Sequence, residues 1–232
     1  MALSKAVEGF PFVLAEQDSP LRRRHVSDEE LQAGKEHNVA VAASRIDGIV
    51  IAPGQVFSFH HAVGRPSRWH GFRIGLELHA GEQSRGLGGG ICQVSNLLYL
   101  LALKAGLEIV ERHRHALDLF PDHGRTVPFG CGATVFYNTS DLRFRNPGPE
   151  DVAVYLGVVD GKLVGSIRSR SALSVSVELY EVGHRFERDG EAWWRENHVR
   201  RRFIDAAGAT VRDEEVAYNR GRCLYDPENP ND

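Results

Sequence analysis

A chain of 232 residues, 42% hydrophobic and 25% charged, buries roughly 70% of the surface its unfolded form exposes, enough for one substantial domain with or without a small appendage. A formal charge of −3 and a pI near 6.4 exclude a generally basic nucleic-acid binder, and no apolar run reaches the length of a membrane span. The first residues carry no basic start followed by an apolar core, so the expected location is cytoplasmic. Three widely spaced cysteines, Cys92, Cys131 and Cys223, form no C-x-x-C pair, which argues against a disulfide framework and a four-cysteine zinc site and leaves at least one thiol free. No cofactor is implied.

In chain order, residues 1–27 read as an irregular lead-in containing Phe10-Pro11-Phe12 and a basic run from Arg22 to His25. A helix follows: Ser27 can cap it, Glu29 and Glu30 suit its positive end, and Leu31, Val39, Ala42 and Ile46 recur at helical spacing up to Asp47-Gly48. Ile49 to Phe59 reads as strand, Pro53-Gly54 turn, strand. A polar stretch, His60 to Arg85, leads to Gly88-Gly89-Gly90. Beyond it Ile91, Val94, Leu98, Leu101 and Ala105 share one helical face, with Gly106 placed as a left-handed C-terminal cap. Leu107 to His115 alternates as a strand, and the chain continues as an antiparallel meander to about Ser169, with a hairpin at Asp160-Gly161. Short strand-like runs after Val175, including the basic run His198 to Arg202 read as solvated surface, suggest a β-rich extension over 171–232 behind a main domain over 28–170. The class is α+β, a glycine-rich turn and central helix packed on an antiparallel sheet.

Chemistry concentrates at the start of that helix. A thiol is a good nucleophile at neutral pH when its thiolate is stabilised, and helix N-termini lower a thiol pKa from about 8.5 to roughly 3.5–7.5. Cys92 stands there. Glycines before it give a substrate close access to the main chain, and the turn's N–H groups with the Gln93 side chain form a candidate oxyanion hole. Gly88, Gly89, Gly90, Ser95, Asn96 and Arg112 make up the candidate substrate-binding surface.

Period two on the following strand places Glu111, His113 and His115 on one face. The helix separates Cys92 from Gly106 by about 20 Å, and an antiparallel return at roughly 3.3 Å per residue brings the histidines level with the thiol. His113, or alternatively His115, is then the base that takes the thiol proton. An orienting third member is sought among Asp118, Asp122, Asn138 and Asp141, with Glu111 on the right face but far along the strand. Cys131 reads as a small turn residue.

Pro53 to Phe59, Gly88-Gly89-Gly90-Ile91-Cys92-Gln93-Val94-Ser95-Asn96-Leu97-Leu98, Gly106 to His113 and Asp141 to Asn146 together resemble the VanW family, in order over roughly residues 10–170. Phe10-Pro11-Phe12 and Leu119-Phe120-Pro121 resemble the member found in vancomycin-resistance clusters. The resemblance implies a cell-wall precursor or another peptide-like molecule as ligand. The order Cys at a helix start, His on a following strand, then Asp is also similar to transglutaminase-like and papain-like thiol enzymes. One departure stands out: the family reads Asp-Ala-Thr where this chain has Gly132-Ala133-Thr134.

Three readings follow. The first is a thiol enzyme acting on an amide or peptide-like bond, and the second a binding module without turnover that holds an anionic or peptide-like ligand at the helix start. The third is a zinc protein using Cys92, His113 and His115.

Overall fold

The computed structural model describes residues 4–5, 9–22, 28–79, 82–114, 117–118, 121 and 127–228. Its elements begin β1 (Ser4–Lys5), β2 (Phe12–Pro20), α1 (Glu29–Ile46), β3 (Ile49–Ile51), β4 (Val56–Ser58), α2 (Phe59–Val63), β5 (Ile74–His79) and β6 (Glu82–Leu87). They continue α3 (Cys92–Lys104), β7 (Glu108–Glu111), β8 (Leu117–Asp118), β9 (Arg143–Arg145), β10 (Val152–Val159), β11 (Lys162–Ser169), β12 (Val175–Asp189), β13 (Ala192–Asp205) and β14 (Thr210–Cys223). A 3-10 turn, Arg68–His70, lies between α2 and β5. Two compact units result, Met1–His79 with Gln83–His113 and Ala133–Leu173, and Ala80–Glu82 with Arg114–Gly132 and Ser174–Asp232.

The first unit is α+β. Its main sheet has the order β1-β3-β10-β11-β2, each neighbouring pair antiparallel. Asp160 and Gly161, at φ 48° and 71°, close the β10–β11 hairpin with the two positive φ values that a type I′ turn requires. The segment read as an irregular lead-in contains β2, which pairs along β11 from Phe12↔Ser169 to Pro20↔Lys162. Asp28, rather than Ser27, is the cap seen on α1: its Oδ1 accepts the Leu31 N–H at 2.9 Å, while Ser27 lies outside the described residues. Val39, Ala42 and Ile46 of α1 are wholly buried.

The helix α3 lies against the same sheet where β11 has no side chain. A Cβ at Gly165 would fall 2.9 Å from Leu101 Cδ1 and 3.0 Å from Leu97 Cδ2, so this glycine sets how closely the helix approaches. Val94, Leu98 and Leu101 are buried, as the helical face requires. At the C-terminus Gly106 takes φ 76°, Gly106 N–H donates to Leu103 O, and Leu107 N–H donates to Ala102 O, the paired bonds of a Schellman cap.

A second sheet, β4-β9-β7, carries Phe57 stacked on Phe144 at 4.6 Å. β4 and β7 thus meet across β9, a crossing that an ordered meander does not contain. The polar stretch His60 to Arg85 also differs from its plain reading, since it folds into α2, the 3-10 turn, β5 and most of β6. Among the described residues, no helix is long and apolar enough to cross a membrane.

The second unit is built from three long antiparallel strands, β12-β13-β14, with β8 parallel to the end of β14. The basic run read as solvated surface is tied into it. Arg200 pairs with Asp213 at 2.9 Å, Arg201 with Glu214 at 2.5 Å, and Arg202 with Glu178 at 3.0 Å, each across a strand. Arg195 is buried between the rings of Phe129 and Phe186 and reaches Asp118 at 3.2 Å.

Candidate functional site

The glycine turn is a packed joint. Gly88 and Gly90 take φ 84° and 99°, which only glycine adopts without strain. The expectation that these glycines open the main chain to a substrate is not what the structure shows, because protein atoms fill the space. A Cβ at Gly88 would meet Pro66 Cβ at 2.7 Å, at Gly89 the Gly75 carbonyl oxygen at 2.4 Å, and at Gly90 Lys35 Cγ at 2.3 Å. Asn38, fully buried on α1, locks the joint: its Nδ2 donates to Gly89 O at 3.0 Å and Arg73 O at 2.9 Å, and its Oδ1 accepts the Arg73 N–H at 2.8 Å.

Cys92 opens α3 as the sequence indicates, and it is half-buried. Its thiol donates to Val135 O at 3.6 Å. The expectation of a lowered pKa is reversed: burial pushes the thiol up and the Glu77 carboxylate adds to the shift, against the opposing effect of the Val135 contact and the residue's own N–H. Glu77, on β5, lies over the turn, with its carboxyl where a Gly86 side chain would be and its Cγ 3.1 Å from a Cβ placed on Gly89. A helix N-terminus alone favours thiolate, but here a neighbouring negative charge and desolvation outweigh it.

The polar residues around Cys92 brace the segment Ala133–Val135. Ser95 Oγ donates to Ala133 O at 2.6 Å, and the Ala133 N–H donates to Asn96 Oδ1 at 2.8 Å. Gln93 turns away from an oxyanion position, its Nε2 donating to Ser19 Oγ at 2.8 Å and Pro20 O at 2.7 Å, which ties α3 to β2. The N–H of Gln93 is also spent, on Gly90 O at 3.0 Å. Arg112 holds its guanidinium over the Tyr99 ring at 5.0 Å.

His113 lies on the other side of the same segment, in an antiparallel bridge in which Thr134 N–H donates to His113 O at 2.8 Å. Thr134 therefore faces the histidine backbone, while the carbonyls of its two neighbours accept from Ser95 and Cys92. His113 lies beyond the end of β7, and its imidazole reaches back to that end, with Nε2 2.9 Å from Glu111 Oε1. A carboxylate only accepts, so Nε2 is the donor in this contact, and in the neutral ring Nδ1 is the accepting nitrogen. The bond to His113 holds the Glu111 carboxyl below the usual carboxylate range, helped by the Asp141 N–H, which donates to Glu111 Oε1 at 3.1 Å, and by the Arg143 charge. Glu111, read as too far along the strand, is thus the acid that orients the histidine.

The other proposed third members have different work. Asp141 caps α2, accepting from Ser58 Oγ at 2.6 Å and from His60 N–H at 3.0 Å. Asp118 binds Arg195 and, at 2.7 Å, the Tyr225 hydroxyl. Asn138 sits at φ 68° in an exposed turn. Asp122 and His115 lie outside the described residues. Among the described residues, no three His, Cys, Asp or Glu side chains gather as metal ligands.

His60 was not singled out from sequence. Its Nε2 donates to Ser140 O at 2.8 Å, and its ring meets Tyr137 edge-on at 5.4 Å. Glu77 was missed as well, although it stands at a two-residue step from Gly75 on a strand that the polar stretch concealed. Of the other thiols, Cys131 N–H closes a turn onto Pro128 O, and Cys223 is buried, its pKa pushed up to about 11 by desolvation.

Residues 34–168, which include Glu77, Cys92, Glu111 and His113, match the family model described as VanW like protein. The chain is similar to the uncharacterized protein YoaR of Bacillus subtilis (strain 168), 33% identical over 143 residues that cover 60% of this chain and 45% of that one. It is also similar to the vancomycin B-type resistance protein VanW of Enterococcus faecalis (strain ATCC 700802 / V583), 30% identical over 158 residues that cover 68% and 58% of the two chains. The chain therefore spans about half the length of the curated relatives it matches. No solved structure matches it. The chain belongs to the family of VanW-like proteins.

Proposed function

We propose that this chain is a thiol enzyme that cleaves or exchanges an amide bond in a peptide-like substrate, with Cys92 as nucleophile, His113 as general base and acid, and Glu111 as the orienting carboxylate. The observation that supports it most is the Glu111–His113 contact of 2.9 Å, which orients the imidazole of a residue whose backbone is bridged to Thr134, at the edge of the Ala133–Val135 segment opposite the one that the Cys92 thiol touches. Gly132 cannot supply a carboxylate, and Glu111 fills that role from the end of β7, two residues before the histidine. The arrangement shares the logic of papain-like and transglutaminase-like sites without their order of residues.

Because the thiol is held protonated at rest, the base works during attack. His113 takes the proton as sulfur bonds to the carbonyl carbon, the carbonyl electrons move to oxygen, and their return expels the amine with the proton from His113. Water or a second amine then releases the acyl group. The Enterococcus relative is named as a vancomycin B-type resistance protein, which directs the search for substrate to cell-wall peptides. The test incubates the chain with cell-wall stem peptides and follows new masses. Cys92→Ala and Glu111→Gln should each suppress turnover, and turnover by the Cys92→Ala protein would end the proposal.

The raised thiol pKa favours a second reading, a peptide-binding module without turnover. An anionic ligand suits it poorly, since the Glu77 carboxylate already lies beside the helix start. Unchanged affinity in Cys92→Ala, with no product from either protein, would select it.

A further inference from the structure

The loop between α2 and β5 has no part in the thiol chemistry, and its side chains are unusual for a surface. Trp69 is 98% exposed. Burying an aromatic ring of this size is among the larger apolar gains open to a side chain, and most tryptophans take it. The sequence around it carries charge of one sign. From His60 to Leu76 there is no Asp or Glu, while Arg65, Arg68 and Arg73 are all exposed and none has an ion-pair partner among the described residues. The chain as a whole has a net charge of −3, so this loop opposes the balance of the molecule.

The loop is built to hold its shape. Ser67 Oγ accepts the His70 N–H at 3.2 Å, His70 Nδ1 lies 2.7 Å from Arg65 O, and Gly71 ends the 3-10 turn at φ 81°. Arg45 of α1 stacks on the buried Phe72 and donates to His70 O at 2.7 Å and to Val63 O. At the loop's base Gly88 N–H donates to Arg73 O, and the chain neighbours of those two residues, Leu87 and Ile74, are exposed apolar side chains as well. A braced turn therefore presents a bare indole and three guanidinium groups that have no ion-pair partner among the described residues.

We infer that this loop is a membrane-surface anchor, in which Trp69 enters the headgroup region of a bilayer containing anionic phospholipid while Arg65, Arg68 and Arg73 meet the lipid phosphates. Indole prefers that interface because one edge is apolar and the other donates a hydrogen bond, and basic residues beside it are drawn by the surface potential. A single ring on a tight turn offers no platform for successive bases, which distinguishes the loop from a single-strand nucleic-acid site. The inference does not depend on the reactivity of Cys92.

The test is co-sedimentation of the full chain with vesicles of phosphatidylcholine alone and of phosphatidylcholine with phosphatidylglycerol. Binding is expected only to the second, weakening as salt rises. Each basic residue at such a surface contributes about fivefold. Arg65→Ser with Arg68→Ser should therefore weaken binding by about 25-fold, and Trp69→Ala by at least tenfold; both are exposed substitutions that leave the fold intact, which circular dichroism checks. Phosphatidylglycerol with brominated acyl chains should quench part of the tryptophan emission, and Trp69→Phe should abolish that quenching while Trp193 and Trp194 still emit. Absence of binding, binding that neither variant weakens, or preference for single-stranded nucleic acid over the anionic vesicle would each overturn the inference.

Discussion

Replacing Asn38 with alanine tests whether the glycine turn is held by the protein itself. The side chain is fully buried and makes three hydrogen bonds, to Gly89 O, Arg73 O and Arg73 N–H. Removal leaves the Gly89 carbonyl, which lies deepest, without this donor, at a cost of about 1–3 kcal/mol for an unsatisfied buried group. The two bonds to Arg73 are only part-buried and contribute about 0.5–1.5 kcal/mol each, and Arg73 O keeps the Gly88 N–H. The sum predicts a loss of about 4 kcal/mol, read as a fall of roughly 8–16 °C in the melting temperature of the transition that includes α1. Asn38→Asp should be at least as damaging, since a carboxylate would face two carbonyl oxygens. Urea melts of the two variants beside the parent decide the matter. A loss below about 1 kcal/mol for Asn38→Ala would show that the joint does not rely on these bonds.

Other consequences follow from the same geometry. Gly90→Ala combines φ 99° with a Cβ 2.3 Å from Lys35 Cγ, so it should cost more than the roughly 1–2 kcal/mol of a left-handed alanine, measured by the same melts. Glu111 has a folded pKa below its unfolded one, so its stabilisation is present above the unfolded value and lost as pH falls through the folded value. The stability gap between parent and Glu111→Gln should accordingly close as pH falls through the folded value of Glu111; a gap that persists undiminished below that range would contradict the His113 pairing. Cys92 should alkylate with iodoacetamide slowly at pH 7 and faster only as pH climbs past the ordinary thiol range, because burial and Glu77 oppose ionisation, and Glu77→Gln should move that profile to lower pH.

How much of this could be read in the sequence depends on where each instruction lies. Turns with local chemistry were legible: Asp160-Gly161 and Gly106 adopt the positive φ that their types require. The face of α3 was legible too, because helical spacing is an i, i+3, i+4 property. Strands that gain their order from distant partners were not. β2 has no clean alternation and is set by pairing with β11, more than a hundred residues away. The strands β12 to β14 carry charge on faces where alternation would show carbon, and their register is fixed by Arg–carboxylate pairs that no local window reveals. At the candidate site, period two did place Glu111 beside His113, but the helix-start argument for a reactive thiol omitted Glu77, which arrives from a hairpin hidden in a polar stretch.

In the proposed reaction Cys92 and His113 act together on a peptide-like carbonyl group. The most direct measurement is labelling by a peptidyl vinyl sulfone built on a cell-wall stem peptide, with the modified residue located by mass spectrometry in the parent and in His113→Ala. Cys92 should label faster than the half-buried Cys131 of the same chain, and loss of His113 should slow it by at least tenfold while Cys131 is unaffected. Labelling of Cys92 that is no faster than that of Cys131 and indifferent to His113 would rule out a Cys92–His113 pair.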